Sequence, residues 1–230
     1  MVDRPYTLLS CGMSIDGYVD DMTDARLMLS NDADFDRVDA VRAGCDAILV
    51  GAATVRLDNP RLLVRSPGRQ AQRVVQGLRP TPLKVTVTSS CDLDAEAHFF
   101  TLGDVDKLVY CATASLERAT GKLGKVATVI DGGDPVDLHR VTADLHERGV
   151  RRLMVEGGGS MHTQFLTEGL VDELQLVVAP FFVGDSRAPR FVSDGTFPWC
   201  SQRRAELAEV RQIGDVVLLR YKLSDRFGAA

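Results

Sequence analysis

Residues 153–164 read LMVEGGGSMHTQ. A short apolar run ends in an acid, Glu156, and three glycines follow before a stretch with helical character. An apolar run of this length bounded by glycine reads as a buried strand, and the residues after the turn open a helix. The glycines admit two readings. Gly157, Gly158 and Gly159 allow a tight turn with close helix packing, or they let the amides of a helix start come near a phosphate. The full G-x-G-x-x-G spacing of dinucleotide sites is absent, so the triplet alone leaves both open.

The same alternation extends outward in both directions. Residues 7–13 are strand-like, and residues 32–43 place Phe35, Val38 and Val41 at helical spacing with Asn31 or Asp32 as the cap. Residues 47–50 read as a buried strand stopped by Gly51, and residues 83–88, 107–111 and 125–130 as three more. Leu138, Val141 and Leu145 share a helix face that Gly149 stops. Residues 153–155 are a strand, a helix follows over about residues 160–168, and residues 173–179 are a strand again. Residues 205–212 and 216–222 flank Ile213-Gly214-Asp215 as a hairpin. Residues 66–82 have loop composition. The expectation is one α/β domain over residues 1–230, three-layered, with a mostly parallel central sheet and a C-terminal antiparallel hairpin.

Composition limits the function. The chain has 230 residues, 45% hydrophobic and 26% charged, with a net charge of −5. A nucleic-acid or membrane-surface protein needs a basic face, which this balance argues against. No apolar segment approaches membrane-helix length, and the expectation is a soluble, cytoplasmic protein. The five cysteines are scattered, and the four histidines, His98, His139, His146 and His162, show no ligand spacing, so no metal is expected.

In parallel sheets ligands bind at the carboxyl ends of the strands, which gives the glycine turn a context. A second stretch, LVGAATVRLDNPRLLVR at residues 49–65, has the same build. Thr54 and Asp58 share a face if they lie on a helical turn, and Pro60 disfavours helical geometry at Asn59. From Arg56 to Arg79 there are six arginines against one acid, Asp58, a local reversal of sign. Arginine matches phosphate oxygens best. Arg61 and Arg65, next to a strand end, suit an anion site, whereas Arg69, Arg73 and Arg79 read as a solvated basic loop. In a third stretch, SCGMSIDGYVD at residues 10–20, Asp16-Gly17 is a turn signal.

Together these stretches resemble the riboflavin-biosynthesis pyrimidine reductases, whose fold is that of dihydrofolate reductase. The markers are M-S-I-D-G at residues 13–17, R-x-x-x-D-A-I-L-V-G at 42–51, T-V-x-x-D-N-P-x-L at 54–62, E-G-G-G-S at 156–160 and G-L-V-D-E-L at 169–174. The resemblance implies an oxidoreductase that uses NADPH to reduce the ribose of a 5-amino-6-(5-phosphoribosylamino)uracil-type substrate to its ribitylamino form, by hydride transfer to C1′. It places Met13, Thr54, Asp58 and Ser89 at the cofactor, with Gly158, Gly159, Ser160 and Met161 within the segment to Gln164 that cradles its pyrophosphate. It places Ser10, Arg42, Leu62, Arg65 and Glu156 at the substrate, the two arginines toward the 5′-phosphate. Glu156 and Asp58 are the catalytic candidates. It also suggests a homodimer.

Two departures stand out. Bacterial members often carry lysine where this chain has Ser10, which removes a cationic donor near the sugar. The H-x-E and P-C-x-x-C motifs of a fused zinc deaminase are absent, so a reductase alone is expected. Two alternatives remain: a dihydrofolate or pterin reductase on the same fold, and a catalytically silent NADPH-binding module.

Overall fold

The structure is a computed structural model that describes residues 3–23, 25 and 27–228. The first half of the described chain runs β1 (Tyr6–Ser14), α1 (Asp32–Ala43), β2 (Ala47–Gly51), α2 (Ala52–Asp58), α3 (Pro67–Val75), β3 (Leu83–Thr88), α4 (His98–Thr101) and β4 (Lys107–Cys111). The second half runs α5 (Leu116–Leu123), β5 (Thr128–Asp131), α6 (Leu138–Glu147), β6 (Arg152–Gly157), α7 (Gly159–Thr167), β7 (Glu173–Ala179), β8 (Glu206–Ile213) and β9 (Val216–Lys222). The strand order is β5-β4-β3-β2-β6-β1-β7-β9-β8. The pairs β1–β7, β2–β3, β3–β4 and β4–β5 are parallel, and β7–β9 and β8–β9 are antiparallel, as an α/β chain closed by a hairpin requires.

By its contacts the chain divides into two compact units. Of the described residues, the first holds those in 3–5 and 39–154, the second those in 6–38 and 155–228. In the first, β2 reads AILVG and is buried at all five positions, the continuous apolar run of a strand covered on both sides. Its core adds Val85, Val109, Phe99, Leu123, Leu138, Val141 and Leu145. In the second, β1 and β7 pair in register from Leu8↔Glu173 to Ser14↔Ala179. Asn31 caps α1, its Oδ1 accepting from the Asp34 amide at 3.0 Å. Among the described residues no helix is long and apolar enough to cross a membrane.

One expectation fails. Residues 66–82 are not a solvated loop, because α3 occupies Pro67–Val75, with Ser66 as its N-cap and Pro67 at its start. Its amphipathic pattern is inverted: Val74 and Val75 are 54% and 87% exposed, while Arg73 is 4% exposed. Arg73 is buried because its fork meets backbone acceptors. Nε donates to the Arg79 carbonyl at 2.8 Å, and Nη1 to those of Ala43 and Cys45 at 2.7 and 2.8 Å. Arg69 is also drawn in, donating to Asp39 Oδ2 at 2.9 Å. Of the three arginines assigned to a solvated loop, only Arg79 is well exposed, and it faces Asp104 at 3.5 Å.

Lys84 shows the same economy inside β3. It is fully buried, and Nζ donates to the carbonyls of Phe99 and Leu102 at 3.1 and 2.7 Å, at the carboxyl end of α4. Carbonyls at a helix end lack intrahelical partners, so a cation belongs there. Burial, with Lys107 and Arg42 adding repulsion, pushes the ammonium from 10.5 down to about 8. A neutral amine still has two hydrogens for two carbonyls. The stabilising contribution of this shift is therefore full above pH 10.5 and lost as pH falls through 8. Between pH 7 and 9.5 the melting temperature of the wild type is expected to gain on that of Lys84→Met, by the equivalent of about 2 kcal/mol. A temperature difference that stays constant over this range would show that the ammonium is not perturbed.

Candidate active site

Some of the residues singled out in the sequence follow the carboxyl ends of strands: Thr54 and Asp58 follow β2, Ser89 follows β3, and the glycine turn ends β6. In the first unit, β2 ends at Gly51, which is paired with Val87 of β3. Thr54 and Asp58 both lie on α2, one helical turn apart, with Thr54 half-buried and Asp58 exposed. Asn59 ends α2 in left-handed geometry (φ 43°, ψ 54°), as the following proline favours a break there. Its side chain accepts from the His98 amide at 2.7 Å, which fixes where the chain leaves the helix. Ser89 follows β3 and is exposed. Its carbonyl accepts from Ser115 Oγ at 2.8 Å, and that of Ser90 accepts from the Arg118 guanidinium.

Arg42, Leu62 and Arg65 are brought together by the last turns of α1. Arg42 Nη1 donates to the Leu63 carbonyl at 3.2 Å. One turn earlier, the buried Asp39 accepts from the Arg65 amide, from the Ser66 amide at 3.1 Å and from Arg69 Nη1 at 2.9 Å. Burial alone would raise the Asp39 carboxyl, but these hydrogen bonds outweigh it and hold it below its ordinary value. Leu62 is buried with a positive φ of 48°. The Arg65 side chain is 60% exposed, with Nε 3.9 Å from Asp39 Oδ1. The backbone of this segment is thus clamped from beneath, while a fork able to grip an anion stays at the surface. Asp39 escaped sequence reading: it lies on a helix of unremarkable pattern, and its partners come 26 to 30 residues later.

In the second unit, Ser10 is buried and Met13 half-buried on β1. Asp16 does more than turn the chain. Its carboxylate accepts from Ser14 Oγ at 2.6 Å and from the Val183 and Gly184 amides at 3.1 and 2.8 Å. Glu156 is half-buried on β6, one residue before the glycine turn. Gly157 has φ +128°, open only to glycine, and the Gly157–Gly158 peptide is cis. At Gly159 a Cβ would sit 2.5 Å from the Arg190 carbonyl oxygen. Gly158 caps α7 with no side-chain hydrogen bond, so the amides of Gly159, Ser160 and Met161 are left without intrahelical acceptors. Bare amides, a helix dipole and no side chain in the way suit a phosphate group. The residues present therefore fit a phosphate-bearing nucleotide.

Comparison with known proteins identifies the family. A curated relative from Archaeoglobus fulgidus, 2,5-diamino-6-ribosylamino-4(3H)-pyrimidinone 5′-phosphate reductase, is 33% identical over 213 residues, covering 92% of this chain and 95% of its own. The crystal structure of a pyrimidine reductase-like protein from Corynebacterium diphtheriae is 26% identical with a TM-score of 0.82, over 95% of this chain and 91% of that one. Dihydrofolate reductase from Enterococcus faecalis shares the fold alone, at 12% identity and a TM-score of 0.51, over 94% and 98% of the two chains. Residues 5–219 match the RibD C-terminal domain family. This chain, with its dihydrofolate reductase-like fold, belongs to that family.

Proposed function

We propose that this chain is an NADPH-dependent reductase of riboflavin biosynthesis, which converts the ribose of a ribosylaminopyrimidine 5′-phosphate into a ribityl chain. The observation that carries this reading is the glycine turn, with three amides offered to a phosphate by a chain that matches a reductase family over residues 5–219. The Archaeoglobus relative is named for a diamino pyrimidinone, so the base that still holds its 2-amino group is the favoured substrate over the deaminated uracil form. The chain acts as a single reductase domain.

Met13, Thr54, Asp58, Ser89 and the Gly158–Met161 amides hold the nicotinamide nucleotide. Ser89 and Ser90 offer hydroxyls at the end of β3, with the Arg118 cation bonded to the same loop. That environment suits a 2′-phosphate, because hydroxyls and a guanidinium meet there. Ser10, Arg42, Leu62, Arg65 and Glu156 hold the substrate. When bound, the dihydronicotinamide supplies a hydride, which the ring-opened ribose accepts at C1′. The chain's own contribution is position and field: Arg42 and Arg65 fix the 5′-phosphate, and Glu156 hydrogen-bonds the pyrimidine or ribose. Ser10 supplies no cation, so a proton at the sugar comes from water or from another group.

We also propose a homodimer. β8 stands last in the strand order, and all eight of its residues are exposed or half-buried. Leu207 and Val210 on it, and Val217 on β9, are 51%, 60% and 37% exposed. Such a hairpin suits self-pairing through a two-fold axis. Light scattering is expected to give twice the chain mass for wild type and the single mass for Val210→Glu, and a monomeric wild type would refute the pairing.

NADPH oxidation at 340 nm tests the activity. Turnover is expected with the diamino ribosylaminopyrimidinone phosphate, less with its deaminated form and none with dihydrofolate, and kcat/KM is expected to be higher with NADPH than with NADH. Preference for dihydrofolate would install the pterin alternative, and NADPH binding without turnover on any of the three would install the silent module.

Variants separate the roles. Arg65→Ala is expected to raise KM for the phosphate substrate roughly tenfold to a hundredfold, with NADPH affinity unmoved. Arg65→Lys recovers only part, since lysine keeps the charge but not the fork. Asp39→Asn, which loosens the clamp beneath Arg65, is expected to raise the same KM roughly threefold to tenfold. Glu156→Gln is expected to cut kcat far more than it lowers the melting temperature. A fall in stability with kcat intact would reduce Glu156 to a helix-start acid.

A further inference from the structure

The glycine turn is braced by a segment distant in sequence. Residues 190–193 reach α7 at three points. The Arg190 carbonyl presses on Gly159, the Ser193 amide donates to Thr163 Oγ1 at 2.9 Å, and the Phe191 carbonyl stands 3.2 Å from Nδ1 of His162. His162 is the one side chain of these contacts that also faces the turn. It is 2% exposed, and a Cβ on Gly157 would lie 3.5 Å from both its Cε1 and its Nε2. Its ring also packs against that of Phe191, with centroids 5.3 Å apart.

The protonation state follows from the partners. A carbonyl only accepts, so Nδ1 carries the hydrogen and Nε2 bears a lone pair. Nε2 is buried and meets no hydrogen-bond partner among the described residues. Burial also pushes the imidazole down to about 4, although the bond to Phe191 opposes this, so the ring is neutral at physiological pH. A side chain that merely filled this volume would be better apolar, since a buried polar atom without a partner is costly.

We propose that His162 is a positioning residue for the cofactor: its Nδ1–H ties the 190–193 segment to the first turn of α7, and its ring supports Gly157, so that the amides of Gly159, Ser160 and Met161 are aligned for the pyrophosphate. This rests on the nicotinamide-nucleotide reading of the turn. His162 touches neither reacting atoms nor, in this role, the nucleotide itself.

Two replacements separate positioning from packing. In His162→Asn the amide nitrogen can follow Nδ1 and keep the bond to Phe191, whereas His162→Leu fills similar space with no donor. NADPH affinity, read by fluorescence titration, is expected to fall at least about tenfold in His162→Leu and by no more than about threefold in His162→Asn. KM for the pyrimidine substrate is expected to stay near wild type in both, and melting temperatures identify any plain loss of folding. Histidine-selective 15N NMR of the wild type, which needs no variant, is expected to show one of the four imidazoles with Nδ1 protonated and no titration between pH 5.5 and 8. Equal NADPH affinity in His162→Leu and wild type, or a His162 ring protonated at Nε2, would overturn the role of His162 alone. A wild type that binds no NADPH would overturn the reading of the turn itself.

Discussion

The second unit depends on one close approach, backbone against backbone at Gly159. The Arg190 carbonyl oxygen lies where a Cβ would be, at 2.5 Å, so any side chain would have to push the main chain away. Two positions earlier, Gly157 takes a φ of +128° that side chains disfavour. The two demands together explain why β6 passes into α7 through glycines. They also leave the first turn of α7 open, with no side chain to occupy its amides. A geometry that removes side chains for steric reasons thus leaves helix-start amides open, as an anion would need.

The first unit solves a different problem: where to put cations in an acidic chain. Arg73 and Lys84 are used up inside, each donating to backbone carbonyls. Arg69 spends its fork on Asp39. Arg65 is the contrasting case, because Asp39 takes its backbone amide while its side chain stays 60% exposed. One buried carboxylate therefore orders the segment through its backbone amides and lies within ion-pair distance of the Arg65 side chain. Charge counted along the sequence could not divide these arginines, because the division depends on which carbonyls lie unpaired nearby.

Much of the fold was legible from period and punctuation. β3, β4 and β7 coincide with their apolar runs, Asn31 is the one of the two candidate residues that caps α1, and Thr54 and Asp58 do lie on one helix, the condition for their sharing a face. The hairpin closes at Gly214, where φ is +62°. These features are local: hydrophobic alternation, a cap and a turn each act over a few residues, and a strand in a parallel sheet announces itself by unbroken apolarity. Segment α3 was not legible, because its only buried residue is charged and its valines face water.

What the sequence determined by itself was the order of elements, the glycine turn and the pool of polar residues near strand ends. What only the tertiary structure decided was which of them work together. Asp39 reaches Arg65 across 26 residues, and His162 reaches Phe191 across 29. Nothing in either neighbourhood marks the partner, since a hydrogen bond depends on distance and direction in space and not on separation along the chain. The burial that keeps His162 neutral likewise exists only once the chain has closed around it.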